Sequence, residues 1–352
     1  MLKIEKCLIE YGVLRKFVKN ALEGKDVRTD VAEHVTESLV QTSLRGVDSH
    51  GVRLLPHYLR AIDSGRINPQ PSYSFSKTTS STGKLDADHT FGHAAGGDGM
   101  LKACSLAKEN GVGCVSVYNS THFGAAAYFS LLAAKQDLIG ISFTHADSLM
   151  KSYQGKRAFF GTNPICFAAP CEGEDPFCLD IATTRVNWNK ILQYRENSRE
   201  LPSGWAFDSD GIETLDPNKA SFLASIGEYK GFGLAMMIEV LCSLLTGMPF
   251  GRDLTKMYAD PIEKKRMLGH FFMAIKIDAF EELDVFKTRM KDLMNQVRDE
   301  PSLNHSMKVL VPGDPEKESF KLRMEKGIPL DEVTSNSFKQ IATELGIEFK
   351  VR

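Results

Sequence analysis

Between residues 112 and 144 the apolar pattern changes character twice. Val112 to Tyr118 is a short apolar run of strand type, Ala125 to Lys135 follows with helical spacing, and Leu138 to Thr144 is strand-like again. This order predicts an α/β layer and is a βαβ candidate, in which periodicity leaves open whether the two strands pair directly. The pattern continues on both sides. Residues 97 to 109 read as a helix closed by Asn110-Gly111, and residues 159 to 169, 177 to 181 and 270 to 277 read as extended. Gly231 to Leu245 is almost wholly apolar, which predicts a helix central to the core. Phe286, Met290, Leu293 and Val297 mark a further amphipathic helix.

The chain ends read as helical. Thr29 or Asp30 caps a helix whose apolar stripe is Val31, Ala32, Val35, Leu39 and Leu44, and a second run from Leu54 to Ile62 stops at Ser64-Gly65. The segment Asn68-Pro69-Gln70-Pro71-Ser72 breaks helix and strand alike, and the pattern turns mixed near residue 75. A last helix is expected with Ser335 as its cap, Phe338, Ile341, Ala342 and Leu345 as its stripe, and Gly346 at its end.

Composition removes several function classes. The 352 residues carry 43 Lys+Arg against 45 Asp+Glu, a net charge of −2, so the chain has no basic field for nucleic acid or a membrane surface. Its seven cysteines show no CxxC spacing, against a zinc ribbon or a disulfide framework. Charges interrupt the N-terminal MLKIEKCLIEYG, and no apolar stretch is long enough to span a bilayer. The expectation is a reduced, cytoplasmic protein. G-x-S-x-G, the P-loop and H-E-x-x-H are absent from the sequence. So is G-x-G-x-x-G: the nearest approach, Gly231-Phe232-Gly233-Leu234-Ala235-Met236, lacks the third glycine, which argues against a Rossmann site.

Three polar clusters carry candidate chemistry. Asp48-Ser49-His50-Gly51-Val52-Arg53 sets a hydroxyl, an imidazole and a guanidinium between two helices; imidazole exchanges protons near neutral pH and guanidinium grips carboxylates. A capping Asp-Ser beside a surface His is the plainer reading. Asn119-Ser120-Thr121-His122-Phe123-Gly124 follows a strand and precedes a helix, where α/β proteins bind ligands; a structural, helix-capping His122 is the competitor. His145-Ala146-Asp147-Ser148 also follows a strand. His122, His145 and Asp147 could be drawn as a metal site, but their spacing gives no support and no metal is assigned. Backbone-rich segments at Phe160–Pro164 and Asp180–Thr184 let a ligand approach the main chain, and Lys230 opens the apolar helix, disfavoured by the helix dipole unless an anion lies nearby.

Together these segments resemble the type-2 malate/L-lactate dehydrogenase family, which includes ureidoglycolate and sulfolactate dehydrogenases, diketogulonate reductase and piperideine-2-carboxylate reductase. The resemblance runs through RGVDSHG (45–51), NSTHFGAAAYF (119–129), GTNPICFAAP (161–170), DIATT (180–184), KGFGLAMMIEVL (230–241), LTGMPFG (245–251) and VPG (311–313). It implies an α/β chain with a non-Rossmann dinucleotide-binding domain (76–317), a helical domain from both ends (1–75 and 318–352), and an intertwined homodimer. By similarity His122 and His50 fall at the proton donor or acceptor positions. Ala146, Asp180, Ile181, Ala182, Thr183, Lys230, Pro312, Gly313 and Asp314 fall where the family contacts NAD or NADP, with NAD placed first. Many relatives carry Arg four places after the SHG histidine; here that place is Leu54 and Arg53 stands one earlier, a rotation of about 100° on a helix. His145-Ala146-Asp147 is a second departure.

The expected reaction is hydride transfer between nicotinamide and C2 of a small 2-hydroxy acid or 2-oxo acid. His122 exchanges the hydroxyl proton, His50 with Ser49 polarises the oxygen, and Arg53 anchors the carboxylate, with Lys151 or Arg185 as substitutes. Reduction of a cyclic imine carboxylate with NADPH, drawing on Asp147, is the alternative. A silent dinucleotide-binding scaffold and a metallohydrolase are the rivals from other classes.

Overall fold

The computed structural model describes residues 7–304 and 306–350; the first half of the N-terminal segment read above lies outside them. Strand β1 (Cys7–Ile9) leads into α1 (Tyr11–Glu23), whose first N–H groups are taken by the Glu10 carboxylate. Helix α2 (Thr29–Leu44) follows. Its cap position is Arg28 rather than Thr29 or Asp30, and Asp30 instead pairs with the Arg28 guanidinium at 2.6 Å. After two tight turns, α3 (Leu55–Asp63) ends where Gly65 takes φ +77°.

The mixed part begins with the hairpin β2 (Ser74–Lys77) and β3 (Thr82–Asp86). Helix α4 (Gly92–Asn110) starts five residues earlier than its pattern shows, because its glycine- and alanine-rich first turns carry little apolar signal. Next come β4 (Val112–Ser120), α5 (Ala126–Ala134) and β5 (Leu138–Thr144). Short strands β6 (Met150–Lys151) and β7 (Ala158–Phe160) precede the hairpin β8 (Ile165–Ala169) and β9 (Phe177–Ile181). A small outer unit holds α6 (Trp188–Glu196), β10 (Ala206–Phe207) and β11 (Phe222–Leu223). The chain then forms α7 (Tyr229–Glu239), β12 (Leu268–Lys276), α8 (Leu283–Arg298), α9 (Asp314–Lys326), β13 (Ile328–Leu330) and α10 (Glu332–Leu345).

The central sheet has seven strands in the order β2-β3-β4-β12-β5-β8-β9. The open question about β4 and β5 is answered here: they run parallel but do not pair, because β12 lies between them and is antiparallel to both. Helices α4 and α5 pack on one face around Phe123, Phe129 and Phe272. Helix α7 and the π-helical turn that follows it (Val240–Leu244) cover the other face with Ile238 and Cys242 against Phe143 and Phe271. A separate core joins the chain ends: Leu14, Phe17, Leu39 and Tyr58 pack with Ile328, Phe338 and Ile341, and β1 pairs with β13.

Two expectations change. Asp331, not Ser335, caps α10: its carboxylate accepts the Thr334 N–H at 2.7 Å. Helix α7 and the π-helical turn after it are not central to the core. Their outer face leaves Tyr229, Met236 and Leu244 more than half exposed. The helix is apolar all round, but the sheet covers only one side of it.

Candidate active site

His122 is delivered by the end of β4. The strand is fixed by Ser120, whose hydroxyl lies 2.8 Å from His270 Nε2, and the following Thr121 accepts the Gly92 N–H and donates to the Thr90 carbonyl. Gly124, at φ +79°, turns the chain into α5; a Cβ there would come within 2.7 Å of His93 Nε2. His122 Nδ1 is then 2.7 Å from the Tyr58 hydroxyl.

His50 comes from the opposite side, out of the tight turn that follows α2. Arg323 of α9 holds this turn by pairing with Asp48 and donating to the Ser43 carbonyl. Gly51 allows the turn to close on Ser43, whose hydroxyl accepts the Val52 N–H at 3.0 Å. Ser49 Oγ lies 2.8 Å from His50 Nδ1, and the His50 and His122 rings stack with centroids 5.8 Å apart. Burial lowers the pKa of His50. It lowers that of His122 much further, with smaller contributions from neighbouring His50, His93 and Arg266. Both rings are neutral at physiological pH and open onto a cavity of about 730 Å³.

The cavity lining gathers distant parts of the chain: Ser49, His50, Arg53, His122, Ala146, Asp147, Asp180, Ile181, Ala182, Pro312 and Gly313 all contribute. Thr183 lies just behind, donating its hydroxyl to the Thr162 carbonyl at 2.9 Å. Asp314 faces away: its carboxylate is taken by Arg298 and the Val311 N–H, within a cluster that includes Glu174 and Lys317. Lys230 stands exposed in the first turn of α7, apart from the lining. Asp180 lines the cavity with an exposed side chain, and desolvation by the surrounding cavity walls pushes its carboxyl pKa up to about 6 although it accepts the Ala127 N–H at 2.8 Å.

Loop 145–147 is held from behind. His145 Nε2 accepts the Gly269 N–H at 2.9 Å while Nδ1 faces Glu239 at 3.5 Å. Asn163 accepts the Ala146 N–H and donates to Glu239. Asp147 binds Arg266 Nη2 at 2.5 Å and the Met257 N–H at 2.6 Å. Among the described residues no three His, Cys, Asp or Glu side chains are placed to hold a metal ion. Arg53 lines the cavity with its side chain exposed. Lys151 and Arg185 are not in the lining; Lys151 sits over the Phe207 ring and Arg185 reaches the Gly204 carbonyl.

The sequence of residues 9–339 matches the family model described as malate/L-lactate dehydrogenase. The chain belongs to that family. A malate dehydrogenase from Pyrococcus abyssi is 33% identical over 345 residues, 95% of this chain and 94% of the relative. A ureidoglycolate dehydrogenase (NAD(+)) from Escherichia coli is 34% identical over 289 residues, 82% of each. Among solved structures, the sulfolactate dehydrogenase from Methanocaldococcus jannaschii superposes with a TM-score of 0.91 at 32% identity, covering 97% of this chain and 98% of that one. As a malate/L-lactate dehydrogenase family member, the protein is an NAD(P)-dependent hydroxy-acid dehydrogenase. Among the described residues no helix is long and apolar enough to cross a membrane.

The lining suits a dinucleotide. Helix α5 begins at the cavity with Ala125, Ala126 and Ala127, where the Asp180 carboxylate takes the Ala127 N–H. Helix α9 begins beside it at Gly313, and Arg45 adds a cation. The small residues Ala125, Ala126 and Gly313 leave backbone N–H groups at these helix starts within reach of a ligand, beside the acidic side chains of Asp180 and Glu316. Four site residues were not singled out in the sequence. Tyr58 sits inside a run that reads as ordinary helix, His93 lies in the glycine- and alanine-rich stretch before residue 97 that shows no helical pattern, Tyr258 lies in a loop without a motif, and Arg266 precedes a strand by two residues. Arg266 is the most informative: its side chain is 3% exposed, and Nε and Nη1 have no hydrogen-bond partner among the described residues.

Proposed function

We propose that this dehydrogenase interconverts a small 2-hydroxy acid and its 2-oxo acid, with His122 as the acid/base. The observation that carries this reading is the convergence of His122 and His50 on one cavity that the N-terminal ends of α5 and α9 also line. When bound there, the nicotinamide ring supplies or takes the hydride at C2. His122 has one nitrogen engaged by Tyr58, so Nε2 is the atom left to exchange the hydroxyl proton. His50, oriented by Ser49, lies across from it and can hydrogen-bond the same oxygen. The substrate carboxylate is met by Arg266, with Arg53 at the cavity edge. Arg266 keeps two unpaired donors while Asp147 fixes its third nitrogen, and a buried guanidinium with free donors favours an anionic ligand.

The same Asp147 geometry speaks against imine chemistry, because its carboxylate is committed to Arg266 and to the Met257 N–H. Ala146, Asp180, Ile181, Ala182, Pro312 and Gly313 form the cofactor wall of this reading, with Thr183 supporting it and NAD, the cofactor of the Escherichia coli ureidoglycolate dehydrogenase (NAD(+)), as the preferred cofactor. Absorbance of the reduced cofactor, followed with NADH and NADPH over a panel of 2-oxo acids and cyclic imine acids, tests the proposal. Turnover of a 2-oxo acid supports it; turnover of imines alone overturns it.

A homodimer is part of the same proposal. The open face of α7 presents Tyr229, Met236, Met237, Val240, Leu244 and Leu245, a run of large apolar side chains that a second copy would cover. Sedimentation should give twice the mass of one chain, and Met236→Glu should shift the distribution toward monomer.

A further inference from the structure

We propose that Tyr58 and His93 are positioning residues for His122, the Tyr58 hydroxyl sitting between the two imidazoles and selecting which His122 nitrogen carries the proton. The inference rests on His122 being the acid/base of the proposed reaction. The Tyr58 oxygen lies 2.7 Å from His122 Nδ1 and 3.5 Å from His93 Nε2. Tyr58 is 1% exposed and His93 fully buried, so water does not compete for these bonds. Three elements meet to build the arrangement. Tyr58 comes from α3, His93 from the first turn of α4, and His122 from the loop after β4. Gly92 makes the approach possible, since a Cβ there would lie 2.3 Å from the Thr121 carbonyl oxygen and 2.8 Å from the His122 carbonyl carbon.

A phenol has one proton to give, and its oxygen can accept another. If Tyr58 donates to His93 Nε2, its oxygen accepts from His122 Nδ1–H, and His122 Nε2 is left as a lone pair facing substrate. If Tyr58 donates to His122 Nδ1 instead, Nε2 carries the proton and can only hydrogen-bond an oxygen, because losing that proton would leave an imidazolate. The first state is the base for alcohol oxidation, and the imidazolium it becomes is the acid for ketone reduction; the second state serves neither step. Both leave all three groups uncharged. That matters here because burial disfavours imidazolium at His122 and at His93, where the pKa falls to about 3, and holds the proton on Tyr58 well above its usual range. In oxidation, the hydroxyl proton passes to His122 Nε2 as hydride leaves C2. The resulting imidazolium donates Nδ1–H to the Tyr58 oxygen, whose own proton is directed at His93. No proton is transferred beyond His122; the other two groups orient. The charged and titratable neighbours that act on His122 are His50, His93, His57 and Arg266.

Tyr58→Phe removes the hydroxyl and keeps the ring. The expected result is a 10- to 100-fold fall in kcat with KM within about twofold, roughly the worth of one assisting group in acid/base catalysis. The acidic limb of the kcat/KM profile should move down by about one pH unit, because imidazolium has lost an acceptor. Ring-nitrogen NMR of ¹⁵N-histidine-labelled protein supplies a readout independent of turnover: the His122 tautomer should change in Tyr58→Phe. An unchanged profile together with an unchanged tautomer overturns the proposal. If Tyr58→Phe does not fold, as judged by thermal unfolding, His93→Phe is used instead; it deprives Tyr58 of its acceptor and should change the same tautomer. A wild-type protein that reduces no 2-oxo acid refutes the functional reading while leaving the NMR result to judge the hydrogen bonds.

Discussion

His122→Asn preserves a polar side chain of similar size but has no titratable nitrogen. With the acid/base removed, kcat should drop by about 10²–10⁴-fold while cofactor binding, followed by fluorescence of the reduced nicotinamide, is retained. Undiminished kcat would take the proton-transfer role away from this residue. Arg266→Lys keeps a cation opposite Asp147 and gives up the planar fork. It should raise KM for the oxo acid about tenfold or more, with a smaller effect on kcat, as expected when the lost contact binds ground state and transition state alike. Arg53→Lys, at the exposed edge of the cavity, should cost less, since surface contacts are screened. The histidines were legible in sequence because each sits between a strand or helix end and a glycine, where side chains reach a ligand. Arg266 was not. Its significance comes from burial with two of its three nitrogens unpaired, which depends on how residues 257–266 fold back against α3 and loop 145–147, and no local pattern encodes that path.

At the scale of elements, the controlling feature is the insertion of β12 between β4 and β5. A local pattern can report a strand, a helix and a second strand, but the neighbour that separates the strands arrives more than 120 residues after β5 ends. The strand sits close to the turn after α7: a Cβ on Gly269 would lie 1.9 Å from the Cys242 carbonyl oxygen. The Gly269 N–H also anchors His145, at a point where the pairing register with β4 shifts. Gly269→Ala must therefore push β12 away from that turn and loosen loop 145–147 together. The expected cost is about 3 kcal/mol, the upper part of the range for overpacking a core, with a parallel loss of turnover. Thermal unfolding and kcat measured on one preparation check it; a variant with wild-type Tm would show that the turn yields freely. The helix caps carry a related lesson. Thr29 and Ser335 have the right chemistry for a cap, yet Arg28 and Asp331 occupy the cap positions, because tertiary packing sets where the first turn begins.

For the whole molecule, the relevant quantity is how many imidazoles the fold keeps neutral. Burial lowers the pKa of His57 to about 4 and those of His93 and His270 to about 3, against 6.5 for a free side chain. His270 illustrates the cause: both ring nitrogens are within 2.8 Å of hydroxyls, Thr144 on one side and Ser120 on the other, in a site closed to water. Because each folded-state value lies below the unfolded one, the unfolded chain binds more protons between about pH 6.5 and the folded-state pKa. Stability is therefore fully present above pH 6.5 and is lost as the pH falls through that window. At pH 5 the loss is roughly 2 kcal/mol for each of the three, about 6 kcal/mol together, comparable with the whole stability of an ordinary domain. Asp180 and Asp98 work in the other direction, since a raised carboxyl pKa favours the folded state as the group protonates, but the lowered values of His50, His89 and His122 add to those of the three rings above. Denaturant midpoints measured at pH 8, 7, 6 and 5 should stay level over the first two values and then fall steeply, well before ordinary carboxylates titrate. A midpoint that held constant down to pH 5 would mean that these rings are protonated in the native state, and the neutral, tightly enclosed site described around His122 would lose its physical basis.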